Sequence, residues 1–160
     1  MEPLSIKTYP NEILKRKCVW LESVAEKEKE LFEEMLFTMR YFCGIGLAAP
    51  QIGVSKRLIV AEIEGKVIKL ANPEIIEAKG IDKMKEGCLS VPDTIVDIER
   101  PCEVFIKGLN EKGDKVEIKT EGLLARVLQH EVEHLDGKLI IDYMTILEEL
   151  NFKLKNRKDI

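Results

Sequence analysis

The chain holds two histidines in 160 residues, and both fall in the string Gln129-His130-Glu131-Val132-Glu133-His134. At the helical ~100° per residue, positions i and i+4 lie about 40° apart, so the two imidazoles converge on one point. This is the HExxH arrangement, in which two rings bind a divalent metal and the first glutamate serves as general base. Helix geometry alone does not choose between the acids. Glu131 and Glu133 each flank the ligand pair, displaced by about 60° to opposite sides. Two surface histidines on a charged helix face would be the simpler explanation. The completeness of the motif argues against it, as does an apolar period of Leu124, Leu128 and Leu135 on the other side of the helix.

A metal centre needs at least one more protein ligand. No third histidine exists, and the acids that follow (Asp136, Asp142, Glu148, Glu149, Asp159) sit in no motif-like setting. Asp136 points well away from the pair on the same helix. Cys88, in Glu86-Gly87-Cys88-Leu89-Ser90, is the better candidate, because Gly87 lets the backbone turn sharply ahead of it. A thiolate with two imidazoles leaves a position open for water. It suits Zn²⁺ or Fe²⁺ and disfavours Mg²⁺ and Ca²⁺. Taken alone, Cys88 reads more readily as a core thiol; the missing third imidazole is what favours it as a ligand. Cys18, Cys43 and Cys102 have no comparable setting and are expected to be core thiols.

Helical spacing is read over residues 22–42, ended by Gly44, and again over 123–135, with a short amphipathic helix over 145–156. Strand-like runs are RLIVAEI (57–63) and KVIKLAN (66–72), around a Glu64-Gly65 hairpin turn. Pro73 starts a further extended stretch. TIVDIER (94–100), CEVFIKGLN (102–110) and KVEIKTE (115–121) complete the set. Helix, several antiparallel strands and then a central helix predict an α+β domain, with antiparallel sheets packed around the helix that carries HExxH. One domain spanning residues 1–160 is expected. Net charge is −4, no electrostatic match for nucleic acid, so no specific DNA binding is expected. No apolar run or basic N-terminal leader indicates a membrane span or a secretion signal, so the expected location is the cytoplasm.

Three strings now stand together: Gly44-Ile45-Gly46-Leu47-Ala48-Ala49-Pro50-Gln51, then Glu86-Gly87-Cys88-Leu89-Ser90, then Gln129 through His134. Their order and spacing resemble the peptide deformylases, over about Leu14 to Tyr143. The resemblance implies an α+β fold and removal of the formyl group from the N-formyl-methionine of newly made polypeptides. It implies Cys88, His130 and His134 as metal ligands and Glu131 as general base. Gln51, by its side-chain amide, and Leu89, by its backbone N–H, match the oxyanion donors. Ile45 and Gly46 match positions along the substrate groove, with Arg100 near it. Leu123 and Val127 are expected to line the methionine pocket, with Arg126 at its mouth. The implied metal is Fe²⁺, with Zn²⁺ the other occupant.

One position departs from the family pattern. The motif usually reads His-Glu-x-Asp-His, and Glu133 stands where the aspartate would be. That raises the question of what orients His130.

A basic tail of Lys153, Lys155, Arg157 and Lys158 offers a contact for ribosomal RNA, although a solvated helix end is the simpler explanation. Two other functions share part of the pattern. A general HExxH peptidase would need a different third ligand and a longer cleft. A structural Cys/His site would need four protein ligands, and no second cysteine sits near Cys88.

Overall fold

The computed structural model describes residues 1–156; Arg157, Lys158 and Asp159 of the tail fall outside the described residues. The N-terminal segment runs extended across the molecule, broken by a short 3-10 turn at Glu12–Lys15 that buries Leu14 completely. Helix α1 spans Glu26–Tyr41 and turns Phe32, Met35, Leu36 and Met39 inward. It begins later than the periodicity suggests. Val24 is spent on packing the extended segment against the α1 core, and the first turn closes when the Glu28 carboxylate accepts the Ala25 N–H at 3.0 Å. Its end is also not set by Gly44. The left-handed residue is Cys43, at φ 57°, while an added Cβ at Gly44 would press on Leu89 Cδ1 at 3.1 Å.

Among the described residues, seven strands follow: β1 Gly46–Ala48, β2 Leu58–Ile63, β3 Lys66–Lys79, β4 Asp82–Cys88, β5 Val91–Arg100, β6 Glu103–Leu109 and β7 Lys115–Glu121. Five form an antiparallel sheet in the order β1-β2-β3-β6-β7, and β4 pairs with β5 in a separate hairpin. The two stretches read on either side of Pro73 are one strand. Proline has no N–H to give a ladder, and the chain absorbs it at a register shift between Ala71 and Glu74. Asn72 takes the left-handed conformation there, at φ 50°. Its side chain pairs with both backbone groups of Leu21, at 2.9 and 2.7 Å, and so fastens the N-terminal segment to the sheet.

Strand β2 shows how the layers are built. Leu58 and Val60 face α1, whereas Ile59 and Ala61 face the other side, the period of two expected of a strand. Helix α2, Gly122–Leu135, packs on that second face through Leu124, Leu128, Val132 and Leu135. The β4–β5 hairpin forms a third cluster with Leu14, Leu139 and Ile140. A last helix, α3 at Ile146–Lys155, is capped by Thr145, whose hydroxyl accepts the Glu148 N–H at 3.1 Å. The architecture is α+β, antiparallel sheets around a central helix. Among the described residues, no helix is long and apolar enough to cross a membrane.

Polar side chains fix α2 between sheet and hairpin. Arg126 donates to the carbonyls of Asp82 at 2.7 Å and Ile98 at 3.0 Å. Gln129 Nε2 donates to Pro101 O at 2.9 Å. At the C-terminus of the helix, Arg57 donates to Leu135 O at 3.1 Å and pairs with Asp136 at 3.1 Å.

Candidate active site

The sequence folds locally so that two elements meet at one point. On α2, His130 and His134 face the hairpin with their Nε2 atoms 3.2 Å apart. From the end of β4, Cys88 Sγ lies 3.4 Å from His134 Nε2. One ligand atom each from Cys88, His130 and His134 lie within 4.8 Å of one another. Strand register shifts between Glu86 and Cys88, and the Leu89-Ser90 turn follows at once, which aims the thiol at the helix.

A cleft of ≈ 770 Å³ opens onto this cluster. Its wall includes Ile45, Gly46, Gln51, Cys88, Leu89, Leu123, Val127, His130 and Glu131. His134 is buried behind them at 1% exposure. Gln51 is held at both ends of its amide. Oε1 accepts the Ala48 N–H at 2.9 Å, and Nε2 donates to Ser90 Oγ at 3.1 Å and reaches Cys88 Sγ at 3.6 Å. Gly46 is required by contact rather than by backbone freedom. An added Cβ would run into Glu131 Oε2 and lie 2.8 Å from Val127 Cγ1. A smaller hollow of ≈ 360 Å³ lies elsewhere, lined by parts of β3, β6 and β7.

Electrostatics separate the roles of the ionisable groups. Burial pushes the Glu131 carboxyl up to about 7, the range suited to moving a proton at neutral pH. Burial also holds His134 well below its ordinary value, so it is a neutral ring with a lone pair to give. Burial works against a charged His130, yet Glu131, Cys88 and Glu86 around it pull its pKa up to about 10. Glu131 Oε1 is buried with no hydrogen-bond partner among the described residues, as befits an oxygen that serves something bound in the cleft. A thiolate, two imidazoles and a free acceptor beside them fit a divalent transition metal.

The residue that orients His130 was not foreseen. Glu86 Oε1 lies 2.8 Å from His130 Nδ1. Burial alone would raise the Glu86 pKa, but His130 and Arg100 outweigh it and hold it down at about 2. The available signal was its place two residues before Cys88, on the same side of an extended chain. Arg100 and Arg126 both turn to this same carboxylate. Arg100 is 4% exposed, is absent from the cleft wall, and grips Glu86 at 2.6 and 2.9 Å. Arg126 touches the cleft but sends its guanidinium inward, to Glu86 at 2.5 Å. Cys43 is exposed at the rim and Cys102 only half-buried, so of the three expected core thiols Cys18 alone is buried.

Sequence comparison matches residues 3–149 to the family described as polypeptide deformylase. The chain belongs to the polypeptide deformylase family. A peptide deformylase of Thermodesulfovibrio yellowstonii is 43% identical over 160 residues, covering 97% of each chain. One from Halothermothrix orenii is 45% identical, covering 93% of this chain and 98% of its own. Among solved structures, the Ehrlichia chaffeensis peptide deformylase in complex with actinonin superposes with a TM-score of 0.90 at 35% identity, covering 99% of this chain and 100% of its own. The deformylase fold thus carries this site, and the chain is a metal-dependent hydrolase that removes the N-formyl group from nascent polypeptides.

Proposed function

We propose that deformylation runs at the cleft face of α2, with Cys88, His130 and His134 holding the metal and Glu131 as the base. The observation that carries this is the convergence of those three ligand atoms within 4.8 Å at the floor of the cleft that Glu131 faces. A divalent ion held there supplies a water acidified toward neutral pH and a Lewis acid for the formyl oxygen. Glu131 takes the proton from the attacking water and passes it to the amine that leaves as formate is released. The Gln51 amide, fixed by Ala48 and Ser90, and the Leu89 N–H donate to the oxygen on which charge develops; one such donor is worth about 3–4 kcal/mol.

The substrate lies along β1, a terminal strand of the sheet, whose free edge can pair with an extended peptide. Ile45 and Gly46 line that approach, and Leu123 and Val127 form the wall for the methionine side chain. Arg100 acts on the reaction through Glu86 rather than on the substrate. Residues 1–160 act as a single catalytic domain in the cytoplasm.

Fe²⁺ is the working metal, with Zn²⁺ a competent occupant. Thiolate ligation makes the iron form sensitive to oxidation at Cys88. The test is formate release from N-formyl-methionyl and N-acetyl-methionyl peptides, by anaerobic and aerobic preparations with metal analysis of each. Release from the formyl peptide alone, with loss of activity on aerobic handling, is expected. Cleavage of the acetyl peptide at a comparable rate would overturn the substrate assignment, and equal activity after both preparations would overturn iron.

A further inference from the structure

Behind the cluster, a buried chain of charges runs from His130 to the surface. Glu86 receives Arg100 side-on through Nε and Nη2, at 2.6 and 2.9 Å, and keeps Oε1 on His130 Nδ1 at 2.8 Å. The third guanidinium nitrogen, Nη1, donates to Glu133 Oε1. The other oxygen of Glu133 accepts the Tyr143 hydroxyl, and the Tyr143 ring also lies against Arg100, 5.2 Å from centroid to Cζ. Both oxygens of Glu133 and all three nitrogens of Arg100 are therefore engaged. Neither Glu133 nor Tyr143 touches a ligand atom of the cluster.

With His130 neutral as a metal ligand, the charges in this chain balance: Glu86 and Glu133 against Arg100 and Arg126. Removing the Glu133 charge would leave two guanidinium groups on one carboxylate. Arg100 would then draw harder on Glu86, leaving less of it for His130, and a net positive charge would stand beside a cation site. Groups that fix the orientation and basicity of a ligating histidine typically govern metal affinity by 10–100-fold. The extra methylene of Glu133, relative to the aspartate usual in the motif, lets one carboxylate span Arg100 and Tyr143.

We propose that Glu133 and Tyr143 are positioning residues that set how tightly this site retains its metal, by holding Arg100 in place on Glu86. The proposal rests on the assignment of Cys88, His130 and His134 as ligands. Its test is the rate of zinc transfer from the loaded protein to a chromophoric chelator, together with the thiolate-to-cobalt absorption band of the cobalt-substituted protein. The variants are Glu133→Gln, Glu133→Asp, Tyr143→Phe and, as a control on the site itself, Cys88→Ala.

Glu133→Gln should release zinc about 10–100-fold faster and shift the cobalt band. Tyr143→Phe keeps the ring, and should do the same to a smaller, several-fold degree. Glu133→Asp, which restores the charge on a shorter arm, should fall between Glu133→Gln and the parent protein. If Glu133→Gln and Tyr143→Phe both release zinc within about twofold of the parent, with unchanged cobalt spectra, the proposal is wrong while the site stands. If Cys88→Ala keeps its zinc, the ligand assignment fails and the proposal falls with it.

Discussion

Helix α2 and the β4–β5 hairpin supply the same cluster by different means. The helix holds His130 and His134 by its own repeat, and its apolar residues lock it to the sheet. The hairpin has little apolar hold on that helix. It presents Cys88 and Glu86 through buried charge, with Arg100, Arg126 and His130 all converging on Glu86. A pair set by local geometry survives changes elsewhere, whereas a ligand set by ion pairs depends on every partner. Breaking a buried pair by removing one member typically costs about 3–5 kcal/mol, because a charge is left behind uncompensated. Substituting a cleft-facing residue that is not a ligand, such as Glu131, should therefore alter chemistry with metal and fold intact, whereas breaking the charge pairs around Glu86 should loosen the metal itself.

The largest effect expected on the helix side comes from Glu131→Gln. It removes the proton carrier but no ligand, so kcat should fall by about 10²–10⁴-fold with metal content unchanged in elemental analysis. Joint loss of metal and activity would show that Glu131 is part of the ligand set. At the junction of the two regions, Gln51→Ala removes an oxyanion donor tied to Ser90 of the hairpin turn. A drop of about 10²–10³ in kcat is expected from steady-state kinetics, larger than any change in KM.

Gly46→Ala tests contact between β1 and the helix. The new methyl would meet Glu131 Oε2 and Val127 Cγ1, costing about 1–3 kcal/mol in chemical denaturation along with much of the activity. Unaltered stability would mean that the Glu131 face of the helix can give way to a methyl group at this contact.

The smallest effect lies far from both regions. Glu28 is buried where α1 begins. Burial tends to raise its pKa, but hydrogen bonds from Lys56 and the Ala25 N–H outweigh it and lower the pKa below the usual 4.5. A carboxylate with a depressed native pKa adds stability above its unfolded value and loses it as pH falls through the native one. Glu28→Gln should thus be less stable at pH 7 by about 1 kcal/mol. The difference from the parent should close below pH ~4 in urea titrations. A gap that stays constant at all pH values would rule out the ionic contribution.

What could be read in the sequence follows the same division. The spacing of His130 and His134, the alternation in Lys115–Glu121 and the Glu64-Gly65 turn are local patterns, and each reappears as an element at or near its expected bounds. β4 escaped notice because Asp82 to Lys85 are all exposed and carry no alternation. β1 is too short, at 3 residues, to show a period. The continuity of β3 through Pro73 depends on Asn72 and Leu21, 51 positions apart. Arg100 and Arg126 read only as residues near the groove and the pocket mouth, and tertiary packing alone places both on Glu86. Residues whose partners sit on another element leave no periodic trace.

Everything proposed for the cleft depends on a thiolate from the hairpin and two imidazoles from the helix forming one metal centre. X-ray absorption on the zinc-loaded protein tests it most directly. One sulfur at about 2.3 Å and nitrogens at about 2.0–2.1 Å are expected around the metal, with the sulfur lost in Cys88→Ala. A coordination shell of nitrogen and oxygen alone in the parent protein would contradict it.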